Sequence, residues 1–135
     1  MATRKELLLQ LRPQLPNAVI TENMSKDERF QNATLRPVLK LQTDLLMEAF
    51  RNYVRKHKGT YYNLNLQQKM RYIENAIQRD IKFRNSLKGM IIGQFTLEEY
   101  HTYTSNSSAL NKRMMKMVIE RIKDHSQLLE SETVA

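Results

Sequence analysis

The sequence predicts an all-α protein, a compact bundle of about five helical segments with a kink near Pro37. Three observations carry that expectation. The 135 residues include only three glycines and three prolines, fewer than the turns of an all-β fold require. Thr3-x-x-Glu6, Ser25-x-x-Glu28 and Thr96-x-x-Glu99 fit the capping box, in which a hydroxyl and a glutamate each accept a hydrogen bond from an otherwise unpaired backbone N–H. Apolar residues after these starts recur at steps of three and four, the spacing of one helical face. A chain of this length predicts one core, so residues 1–130 read as one helical domain and 131–135 as a frayed tail.

The first helix is expected over Arg4 to Leu11, because Arg12 precedes Pro13 and a residue before proline avoids helical backbone. Pro13 to Asn23 reads as an extended connector. Its Ala18-Val19-Ile20 is expected either to pack on the bundle or to lie in a short strand. The second helical region starts after Ser25, and Pro37 should kink or divide it by removing a backbone donor. Leu35, Leu39, Leu46, Phe50 and Tyr53 then form a stripe completed by Gln42 and Ala49, and the helix should end near Lys58 with Gly59 as C′.

Thr60 to Leu64 is expected to be a loop. A helix beginning near Leu66, capped by Asn65-x-x-Gln68, should turn Leu66, Met70, Ile73 and Ile77 inward; it either breaks at Asp80 or runs on to Ile92. Gly89 weakens that end and Gly93 stops it. Thr96 starts a short helix to about Tyr103, and residues 104–108 form a polar turn in which Ser107 or Ser108 caps the last helix. That helix, about Ala109 to Leu129, carries Leu110, Met114, Met115, Met117, Val118, Ile119 and Ile122 over more than half its circumference. So wide a stripe predicts a central helix packed against at least two others.

Composition then limits the chemistry. The chain has no cysteine, which removes disulfides, thiolate metal sites and a cysteine nucleophile. His57, His101 and His125 lack the three- or four-residue spacing that puts two imidazoles on one helical face. Glu98 and Glu99 diverge by roughly 100° on a helix and do not converge on one atom. Ser105, Ser107 and Ser108 lie in no nucleophile-elbow pattern. With no catalytic constellation, the expectation is a non-catalytic protein without a cofactor or metal. No segment approaches the ~20 apolar residues of a membrane-spanning helix, and no signal-peptide core opens the chain, so the expected compartment is the cytoplasm.

Charge supplies the functional lead. The formal net charge is +8, distributed as +1 over residues 1–50, +10 over 51–123 and −3 over 124–135. Arg51, Arg55 and Lys58 share one helical face, Lys112, Lys116 and Lys123 another, and Arg71 and Lys82 sit opposite apolar faces. These eight residues are the predicted polyanion-binding set, since each phosphate contact releases counterions. The expected partner is a nucleic acid or ribonucleoprotein. The alternatives are a protein-interaction bundle whose basic patch meets an acidic protein, simply solvated basic faces, or an enzyme whose site is assembled from scattered helical residues. Tyr61 and Tyr62 are candidates either for stacking on bases or for interhelical packing. Leu97 to Ile122 has a helix–turn–helix outline, but its second helix is too apolar to read a groove.

Four blocks, Glu28-Arg29-Phe30-Gln31-Asn32, Leu35-Arg36-Pro37-Val38-Leu39-Lys40, Met90 to Thr96, and Asn111-Lys112-Arg113-Met114, carry a resemblance that covers most of the chain. The chain resembles a group of short bacterial all-helical proteins, some of which bear a glyoxalase label. The resemblance implies a family without an established mechanism. The label itself implies either βαβββ modules or a His-x-His-x-Asp-His cluster, and this sequence has neither.

Overall fold

Thr3, Ser25, Asn65 and Thr96 each accept a hydrogen bond from the backbone N–H three residues on, and a helix follows each of them. The computed structural model describes residues 1–15 and 19–130, and no strand occurs among the described residues. The α-helices are α1 (Arg4–Leu11), α2 (Lys26–Phe30), α3 (Arg36–Lys56), α4 (Leu66–Arg79), α5 (Ile81–Ile92), α6 (Leu97–Ser105), α7 (Ser107–Asp124) and α8 (Gln127–Glu130), and a short 3-10 helix covers Thr60–Asn63, where a loop was expected. The protein is therefore all-α, with more segments than the five expected. The extra ones arise at the π turn over Gln31–Leu35, at Asp80, and at the turn formed by His125 and Ser126.

Between α2 and α3 the chain does not leave the helix. Gln31–Leu35 forms a π turn, in which the Arg36 N–H donates to the Gln31 carbonyl. Pro37 follows directly after this π turn, as the second residue of α3. Asp80 separates α4 from α5. It ends one helix and caps the next, its Oδ1 accepting from the Phe83 N–H at 3.1 Å. Of the two readings of this segment, the break is the one found.

Helix α7 is central. It packs against α3, α4, α5, α6 and the π turn, and buries Leu110, Met114, Met115, Val118, Ile119 and Ile122. From the other side α3 contributes Leu39, Leu46, Met47, Phe50 and Val54, joined by Ile73 and Ile77 of α4 and Leu87 and Ile91 of α5. Phe50 is wholly buried and meets Tyr61 and Tyr72 edge-on, with ring centroids 5.6 and 6.2 Å away. Edge-to-face rings at such distances add roughly 1 kcal/mol each beyond their burial.

Several expectations are corrected. Leu66 is exposed rather than inward, because it opens the first turn of α4, where the helix has not yet reached the core. Met117 is half-buried at the edge of the core rather than within it. The polar turn over 104–108 shrinks to Asn106, because α6 runs to Ser105 and α7 begins at Ser107. Neither serine is the cap: Asn106 holds that position, and its side chain donates instead to both oxygens of Asp27, at 3.1 Å each. At the end of α3, Lys58 rather than Gly59 is C′. Its N–H donates to the Arg55 carbonyl and that of Gly59 to Val54, the paired bonds of a Schellman motif. The last helix ends at Asp124, and a turn separates it from α8. Val19 and Ile20 are exposed; the expectations for Ala18 and for the tail over 131–135 lie outside the described residues.

Candidate polyanion-binding clefts

The basic residues gather along α4, on its two flanks. Tyr72, Ala76 and Arg79 lie on one side of that helix, Glu74, Ile77 and Gln78 on the other. Each side borders a cleft.

The first cleft, about 950 Å³, opens where the ends of α3 and α4 meet the start of α5. Lys56, Lys58, Arg79 and Lys82 line it, against Asp80 as its one carboxylate. Only Lys58 and Lys82 belong to the set predicted from sequence. Lys56 has no cation of that set three or four residues away, and Arg79 has Lys82 three residues on but across the Asp80 break; the fold joins them by bringing two helix ends together. The wall of the cleft is aromatic. The His57 ring stacks on Tyr53 with centroids 4.1 Å apart, and Tyr53 stacks on Phe83 at 4.3 Å. A bond between His57 Nδ1 and the Tyr53 carbonyl, at 2.8 Å, fixes the imidazole over the phenol. Burial pushes the Tyr53 phenol above its usual range, and the Asp80 carboxylate facing it pushes the same way.

The second cleft, about 630 Å³, runs between α4, α5 and α7. Lys112, Lys116 and Lys123 line it as one triplet, joined by Arg84 and Lys88 from α5, with Glu74 and Glu120 as the opposing carboxylates. Lys123 is ion-paired to Glu74, so part of its charge is already neutralised. Lys112 and Lys116 are exposed.

The predicted triplet on α3 is not one surface. Arg51 Nη1 pairs with Glu48 at 3.0 Å while its Nη2 donates to the Leu128 carbonyl at 2.6 Å. Arg55 pairs with the same carboxylate at 3.3 Å. These guanidiniums hold the Glu48 carboxyl below its ordinary range, chiefly through the bonds from Arg51 and then Arg55. Lys58 instead follows the left-handed turn into the first cleft. Arg71 is exposed on α4 and lines neither cleft.

Glu99, His101 and His125 line neither cleft. Glu99 accepts both Arg12 amino groups at 2.6 Å, the Thr34 hydroxyl at 2.9 Å and the Thr96 N–H at 2.8 Å. Burial alone would push its carboxyl up, but these donors outweigh it and hold the group below the usual range. A carboxylate so fully occupied has no lone pair aimed at a substrate. His125 Nδ1 contacts the Arg121 carbonyl at 2.9 Å, and His101 is exposed on α6. Among the described residues no three of His, Asp and Glu converge as a metal-binding group would. No helix among them is long and apolar enough to cross a membrane.

No family model, no curated protein and no solved structure matches the chain.

Proposed function

We propose that the protein is a non-catalytic accessory factor that binds a polyanion, nucleic acid alone or within a ribonucleoprotein, in the cytoplasm. The observation that carries this reading is the pair of clefts flanking α4. The first sets four cationic side chains against one carboxylate, the second five against two. Concave walls lined by one sign of charge focus the field and attract an oppositely charged chain. The contacting residues are Lys58 and Lys82 with Lys56 and Arg79 in one cleft, and Lys112, Lys116, Arg84 and Lys88 in the other. Arg51 and Arg55 serve the reading less well, since both are engaged with Glu48. Kinship with short bacterial helical proteins rests on the four sequence blocks and adds no chemistry.

The test is a salt titration with labelled oligonucleotides. Log affinity should fall linearly with log salt, and each neutralised contact should flatten the slope by about 0.7 for a single strand or about 0.9 for duplex. Lys56→Gln with Lys82→Gln, and separately Lys112→Gln with Lys116→Gln, report which cleft takes part. Binding that is absent at low salt, or unmoved by both pairs, sinks the reading.

A second reading, a protein-interaction bundle, is favoured by one feature. Leu7 and Leu11 share a face of α1 and are exposed, as are Leu97 and Tyr100 on α6. Loss of self-association or of partner capture in Leu7→Ser with Leu11→Ser, alongside unchanged oligonucleotide binding, would support it.

A further inference from the structure

The first cleft holds more than charge. Phe83, Tyr53 and His57 form a column of three stacked rings, with Tyr53 in the middle. Phe83 anchors the column to the core, while His57 at its far end is exposed. One face of the imidazole lies on Tyr53. The other has no aromatic neighbour among the described residues. Lys56 and Lys58 flank His57 along the chain, and Arg79 and Lys82 stand on the cleft's other elements.

We propose that the open face of His57 is a nucleobase-stacking site, and that the cleft takes single-stranded rather than duplex nucleic acid. The inference rests on the polyanion reading and adds the class of ligand. Stacking needs a base whose face is free, which a single strand offers and a paired duplex withholds. The four cations that share the cleft with His57 would take the phosphates on either side of that base. The column is also preorganised: the bond to the Tyr53 carbonyl fixes the ring plane before any ligand arrives, so little ordering remains for binding. Sequence pointed to Tyr61 and Tyr62 as possible stacking residues. Tyr61 is wholly buried in the aromatic core and presents no face to a ligand, and Tyr62 is half-buried with its ring edge-on to Tyr61, outside the residues that line the first cleft.

The experiment compares three labelled probes at one salt concentration: a single strand of about twelve nucleotides, the duplex of the same sequence, and an inorganic polyphosphate chain. The single strand should bind most tightly. His57→Ala should weaken single-strand binding roughly tenfold and leave polyphosphate binding unchanged. His57→Phe, which keeps a ring without a charge, should restore it. His57→Trp places the one tryptophan in a chain that has none, and its emission should be quenched by the strand but not by polyphosphate. Far-UV spectra of each variant establish that α3 is intact. If His57→Ala binds the strand as well as the parent, or loses polyphosphate equally, the stacking site is overturned while the polyanion reading stands. If the parent binds no probe, both fall together.

Discussion

Lys58 bears the sharpest local strain. Its φ is +65°, a left-handed conformation in which an L side chain crowds the following carbonyl, and Gly59 beside it has φ +66°. Two successive left-handed residues let α3 turn directly into the Tyr61 segment, and the lysine is carried to the mouth of the first cleft. Lys58→Gly removes the crowding but gives the unfolded chain more freedom, so a net gain of up to about 1 kcal/mol is expected by chemical denaturation. Gly59→Ala should go the other way, losing about 1 kcal/mol, because its positive φ then carries a Cβ. The same contrast of surface and core holds on α7. Met114 is wholly buried and Met117 is not, so Met114→Ala should cost roughly 2–5 kcal/mol and Met117→Ala clearly less.

At the scale of the element, Asp80 joins two roles. It caps α5 and is the one carboxylate of the first cleft. Asparagine caps about as well as aspartate. Asp80→Asn should therefore leave the melting temperature nearly unchanged while strengthening binding of a polyanion, whereas Asp80→Ala should cost about 1 kcal/mol as well. Helix starts such as Thr3, Ser25, Asn65 and Thr96 were legible in the sequence because the bonds that make them span three residues. What depends on distant partners was not. Asn106 displaces Ser107 and Ser108 as the cap position, and its side chain reaches Asp27 on another helix. Leu66 has helical spacing to Met70 yet faces water, because periodicity fixes a direction and not how far the core extends. The candidate site divides the same way. The basic residues were visible, but Glu48 engaging Arg51 and Arg55, and helix ends gathering Lys56 and Arg79, are facts of tertiary structure.

Over the whole molecule, acid should act through Glu99. Its folded carboxyl titrates below the unfolded value of about 4.3, so its stabilisation is complete above that pH and is lost as pH falls through the folded value. The parent's melting temperature should drop more steeply below about pH 4.5 than that of Glu99→Gln, which has no such proton to take up. Near neutrality the parent should be the more stable of the two, because Glu99→Gln leaves the Arg12 guanidinium, only 7% exposed, without its carboxylate. A loss of roughly 3 kcal/mol is expected from breaking a pair this far from water. Identical pH profiles for the two proteins would show that another group governs acid unfolding.

Helix α1 buries none of its own residues. Its fastenings are polar: Arg4 to the carbonyls of Phe95 and Gly93, Lys5 to Glu98, and Arg12 just beyond its end to Glu99 and the Gln94 carbonyl. An element that conceals so little apolar surface can lift away without melting the rest. Amide protons of Glu6 to Leu11 should thus trade for deuterium through a subglobal opening almost insensitive to low urea, while those of α7 await global unfolding. The molecule would then have two tiers of native persistence, with its first dozen residues on the lower one.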